Sequence, residues 1–176
     1  TLTPSSAASD VYKRQQEDYL RILRYFRFNS YYGDENIMLS SQAYEACGDL
    51  RVKLKNLSPE RIQSEFFKIL VAPNVRKNIS AMSKANILKV IFGNTLDFSY
   101  FSRMVDIDSK YQYIPNPILR LVSLIYLQNI SCNQLKMFSL SNKQKDLISL
   151  IVDKKINFFP EMKINELNKH LSLIHI

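Results

Sequence analysis

Glu17-Asp18-Tyr19-Leu20-Arg21-Ile22-Leu23-Arg24 opens the stretch EDYLRILRYFRFNSYYG, residues 17–33. Leu20, Leu23 and Phe26 fall at helical spacing, two acids come first, and Gly33 follows the last periodic positions. This is the pattern of an amphipathic helix whose acids face the positive end of its dipole. Working outward, the apolar run over 37–54 predicts a helix around 39–47 with Gly48 near its end. In 57–61, LSPER, Ser58 can cap, Pro59 suits the first helical position and Glu60 faces the dipole. That helix is predicted to run through Ile62, Phe66, Ile69 and Leu70 and to stop before Pro73. Two short helices over 74–82 and 85–92, broken near Ser83, are followed by another over 98–105. Pro115-Asn116-Pro117 punctuates the chain before 118–128, the most apolar helix, and Ser131 or Asn133 and then Ser141 are further helix starts. No alternating strand pattern is sustained and no fixed-period repeat occurs, so the expected fold class is all-α, an irregular helical array.

The 176 residues are 46% hydrophobic and 23% charged with only 3 Gly, a composition that excludes a wholly disordered chain. Lys and Arg total 24 against 16 Asp and Glu, a formal +8 that suits a polyanionic partner and suits mere solvation equally. Cys47 and Cys132 lie far apart without metal-ligand spacing, so neither a zinc site nor a disulfide framework is expected and a cytoplasmic setting is the simplest. The most apolar stretch, 118–127, contains Arg120 and is about half the length needed to span a bilayer, so no membrane partner is expected.

Both ends read as translated sequencing adapter. Residues 10–15, DVYKRQ, and 171–176, LSLIHI, can be back-translated into DNA strings that are reverse complements of one another and resemble a transposase mosaic end. The Ser/Ala run over 5–9 fits the adapter that precedes it. Residues 1–15 and 171–176 are therefore taken as artefact and 16–170 as the native insert, a fragment of a longer protein. Setting aside Asp10, Lys13 and Arg14 changes the net charge by one, so the basic character belongs to the insert.

Asp18 and Arg21 are three apart on the first helix, which places their side chains on one face with Cβ atoms about 5–6 Å apart. Two readings are open. One is an ordinary ion pair on a solvated face. The other is base recognition: a carboxylate accepts from an exocyclic amine while a guanidinium donates to a ring acceptor, an arrangement that suits cytosine and adenine and mismatches guanine and uracil. Arg76, Lys77, Lys84 and Lys89 add scattered positive charge that either contacts RNA phosphates or is simply solvated. The aromatics Tyr25, Phe26, Phe28, Tyr31 and Tyr32 either offer a stacking face for a base or pack as core, and core is expected. Asp106 and Asp108 are expected in a loop or at a helix end, and neither His170 nor His175 supports catalysis.

The EDxxRxxR pattern of Glu17, Asp18, Arg21 and Arg24, followed by the ERxxxExxK pattern of Glu60, Arg61, Glu65 and Lys68, resembles the neck of the class II nucleotidyltransferases, the CCA-adding enzymes and related bacterial poly(A) polymerases. The resemblance implies that 16–72 is the nucleotide-selecting neck and 73–170 a helical, truncated body that contacts tRNA. It implies that Asp18 and Arg21 pair with incoming CTP or ATP, with Arg24 near the triphosphate, while Glu17, Glu60, Arg61, Glu65 and Lys68 support the neck. It also implies a catalytic head, upstream of Gln16, whose carboxylates bind magnesium; without it the fragment is expected to be inactive. A poly(A) polymerase fragment and a non-catalytic helical RNA-binding module are the alternatives.

Overall fold

The computed structural model describes residues 19–33, 39, 41–128 and 130–152. The fold is all-α, an irregular array of helices with no strand among the described residues. Two compact units divide between Thr95 and Leu96.

In the first unit, helix α1 covers 19–32 and buries Leu20, Ile22, Leu23 and Phe26 along one side. Helix α2, Gln42–Asp49, starts at Ser41, whose Oγ accepts from Tyr44 N at 3.1 Å. It runs through Gly48, and a 3-10 segment, Arg51–Asn56, follows. Helix α3, Pro59–Leu70, has Pro59 in its first turn and buries Ile62, Glu65, Phe66, Ile69 and Leu70. Ser58 stands at the cap position, yet its side chain makes no capping bond; its carbonyl instead accepts from Arg61 N and Ile62 N. Helices α4, Val75–Lys84, and α5, Ile87–Phe92, are separated at Ala85-Asn86 rather than near Ser83, because Asn86 adopts the left-handed conformation, φ 57°, that turns the chain. The Phe66 and Phe92 rings meet edge to face with centroids 5.7 Å apart. Asn74 N donates to Ser30 O at 3.0 Å, which ties the turn after α3 to the end of α1.

In the second unit, helix α6 is Ser99–Tyr111, α7 is Pro117–Ile125 and α8 is Asn142–Val152. Helix α7 packs against both α6 and α8, and every residue from Ile118 to Ile125 is buried. Asn116 starts it, its Oδ1 accepting from Ile118 N at 2.9 Å and Leu119 N at 3.2 Å. Ser131 and Gln134 form a capping box around the 3-10 turn Cys132–Gln134. Ser141 and Gln144 exchange the equivalent bonds at the start of α8.

Two expectations are corrected in this unit. Helix α6 continues past 105 to Tyr111, so Asp106 and Asp108 lie inside a helix rather than in a loop or at its end. Asp108 is buried, and its Oδ2 accepts from Arg120 Nε at 2.8 Å, the charged residue in the apolar helix. Each needs the other, since a buried charge without a partner is costly.

Candidate nucleotide-binding site

Glu17 and Asp18 lie outside the described residues, so the first motif is visible through its arginines. Arg21 and Arg24 are both exposed on α1, opposite Leu23 and Phe26. The same exposed stripe continues, a turn at a time, through Phe28 to Tyr31 and Tyr32. The expectation that the aromatic cluster is core is met by Phe26, fully buried, and fails for Phe28, Tyr31 and Tyr32, which are in phase with the arginines. Tyr25 is half-buried and its hydroxyl lies 2.7 Å from Ser41 Oγ. Burial, and then the neighbouring Tyr25, push the Tyr44 phenol above its usual range, and its hydroxyl donates to Ala81 O at 3.0 Å.

The second motif lies on α3, with Glu60 exposed, Arg61 half-buried, Glu65 buried and Lys68 exposed. Glu65 meets Arg27 of α1 and Lys68 of its own helix. Arg27 Nη1 donates to Glu65 Oε1 at 3.4 Å and stands 3.1 Å from Oε2, and Lys68 Nζ donates to Oε1 at 3.4 Å. Among the described residues, Glu65 Oε2 and Arg61 Nη1 are buried without a hydrogen-bond partner, so the approach to Oε2 counts as Coulombic contact alone. Helix α1 is thus fastened to α3 along the flank of its arginine stripe. Arg27 was missed from sequence; its signal was being the third arginine of the run, three residues past Arg24.

Arg76, Lys77 and Lys84 on α4 and Lys89 on α5 are all exposed, and the seven-residue spacing of Lys77 and Lys84 places those two on one face. Among the described residues no group of three or more His, Cys, Asp or Glu could hold a metal ion. No described helix is long and apolar enough to cross a membrane.

Residues 37–98, from before α2 to three residues past the end of the first unit, match the family described as "Probable RNA and SrmB- binding site of polymerase A". Particular relatives then emerge. The chain is 31% identical over 144 residues to CCA tRNA nucleotidyltransferase 1, mitochondrial, of Homo sapiens, a match covering 80% of this chain and 32% of the relative. It is 29% identical over 101 residues to the CCA-adding enzyme of Streptococcus pneumoniae serotype 19F (strain G54), covering 57% and 25% respectively. To the CCA-adding enzyme of Streptococcus pyogenes serotype M5 (strain Manfredo) it is 38% identical over 76 residues, 43% of this chain and 18% of that one. The chain thus spans a third or less of the length of these relatives.

Proposed function

We propose that this chain is the nucleotide-selecting neck and part of the helical body of a class II tRNA nucleotidyltransferase, an enzyme that adds CMP and AMP from CTP and ATP to a tRNA 3′ end. The observation that carries this reading is the exposed Arg21–Arg24 face of α1, fastened alongside through Arg27 to Glu65 of the second motif. The similarity to a CCA tRNA nucleotidyltransferase over 80% of the chain supports it.

In this reading the Asp18 carboxylate accepts from the exocyclic amine of cytosine or adenine, and the Arg21 guanidinium donates to the adjacent ring nitrogen. Arg24, one turn on, meets the triphosphate. Glu60, Arg61, Glu65 and Lys68 hold the neck helices together, and Arg76, Lys77, Lys84 and Lys89 contact tRNA phosphates. Magnesium belongs to a catalytic head that residues 16–170 do not supply, so this chain alone transfers no nucleotide. The neck comprises 16–72 and the body 73–170, with adapter-derived residues at either end, and the enzyme works in the cytoplasm.

The polymerase A description of the family matched by 37–98 favours a second reading, a poly(A) polymerase built on the same neck. The test is to obtain the full-length enzyme by reading its gene upstream of Gln16, and to incubate it with a tRNA lacking its terminal CCA. Addition that needs both CTP and ATP and then stops is the expected result; repeated extension with ATP alone replaces it with the poly(A) reading.

A further inference from the structure

Phe28 is 63% exposed, Tyr32 78% and Tyr31 40%, and they adjoin one another at the end of α1. The Phe28 and Tyr32 ring centroids are 5.2 Å apart and those of Tyr31 and Tyr32 6.1 Å. Tyr31 is anchored, its hydroxyl donating to Lys68 O of α3 at 3.4 Å. Three large aromatic rings gathered in water form a surface that calls for an occupant.

The charges around it indicate which. Residues 19–33 carry Arg21, Arg24 and Arg27 and no acid, between the acid pairs Glu17-Asp18 and Asp34-Glu35. Arg24, Phe28 and Tyr32 succeed one another at single turns, about 6 Å apart along the axis. Lys68 flanks the rings from α3, and the nearby carboxylate, Glu65, is buried. Protein–protein interfaces also gather aromatics and Arg, but they are depleted of Lys, which here flanks the rings. Aromatic faces lined by cations are instead what binds single-stranded nucleic acid, whose bases stack on the rings while its phosphates meet the cations.

We propose that Phe28 and Tyr32 form a stacking platform for the unpaired bases at the 3′ end of an RNA strand, continuous with the arginine face of α1. The proposal rests on the reading of that face as nucleotide-selecting: Phe28 is seven residues, roughly 10 Å, beyond Arg21, so the platform would hold the strand end beside the residues that choose the next nucleotide.

The chain has no tryptophan, so Phe28→Trp installs a lone reporter. The full chain carrying it is titrated with a short single-stranded oligoadenylate and with a blunt RNA duplex at the same salt concentration. Saturable quenching by the single strand, with little by the duplex, is expected. In a parallel anisotropy titration, Phe28→Ala and Tyr32→Ala should each weaken single-strand binding about ten-fold, while Phe28→Tyr stays close to the parent. Because both side chains are exposed, unchanged circular dichroism shows that the variants fold. Single-strand affinity unaltered in the alanine variants overturns the platform, as does equal quenching by duplex, an absence of RNA binding, or the loss instead of self-association. Failure of the nucleotide-selecting reading registers separately: Arg21→Ala in the full-length enzyme then leaves nucleotide choice unaltered whatever Phe28 does to strand binding.

Discussion

Asp108→Ala should be among the costliest single substitutions in the second unit. The Asp108 and Arg120 side chains are 9% and 4% exposed, with Nε and Oδ2 2.8 Å apart. Removing the carboxylate takes a close charged partner from a guanidinium that water cannot reach, a loss of about 3–5 kcal/mol. For a small domain about 1 kcal/mol corresponds to roughly 4–8 °C, so the Tm of this unit should fall by at least about 12 °C. Glu65→Ala provides the contrast. Its partners Arg27 and Lys68 are 35% and 49% exposed and their hydrogen bonds are long, so both cations can turn to water. After discounting for solvent screening, about 1 kcal/mol is expected there. Calorimetry and urea unfolding followed by circular dichroism separate the two units. Replacing both members, Asp108→Leu with Arg120→Met, should recover most of the loss, because an apolar pair needs no compensating charge. A cost below about 1 kcal/mol for Asp108→Ala, or a greater cost for Glu65→Ala, refutes the reasoning.

Burial pushes the Cys47 thiol up to about 11, whereas Cys132 is half-buried at the start of a 3-10 turn. At pH 8 an aromatic disulfide reagent should therefore modify Cys132 first. Reaction at Cys47 should quicken about ten-fold per pH unit up to its pKa, since only the thiolate attacks; equal rates at pH 8 contradict this. Asn116→Ala removes the acceptor for Ile118 N and Leu119 N and should cost about 1 kcal/mol in thermal unfolding, with Asn116→Asp retaining most of it. Gly93 ends α5 at φ +80° with nothing within 4 Å of where a methyl group would stand, so Gly93→Ala should cost about 1 kcal/mol through the backbone alone and Gly93→Asn less. An alanine variant as stable as the parent would show that α5 can end another way.

The helical class was legible because the buried positions repeat in phase: Leu20, Leu23 and Phe26 on α1, then Ile62, Phe66 and Ile69 on α3. Pro59 and Pro117 marked helix starts for the reason that proline suits a first turn. What was not legible depended on partners distant in sequence. Asp108 looked like a polar terminus because the Arg120 that neutralises it lies beyond Pro115-Asn116-Pro117; a lone charge in the apolar run 118–127 was the available signal. The exposure of Phe28 and Tyr32 was readable from helical phase, which sets them with Arg21 and Arg24, but the general tendency of aromatics to be buried pointed the other way. The Arg27–Glu65 contact joins two motifs whose spacing in sequence gives no register between them.

The most direct measurement of nucleotide selection uses the full-length enzyme carrying Asp18→Ala or Arg21→Ala. Incorporation of CMP, AMP, UMP and GMP is compared on a tRNA lacking CCA, with fold checked by circular dichroism. If α1 reads the base edge, the preference for CTP and ATP over UTP and GTP should fall about ten-fold or more. An unchanged preference in both variants contradicts a template role for Asp18 and Arg21 and leaves their motif as a surface ion pair.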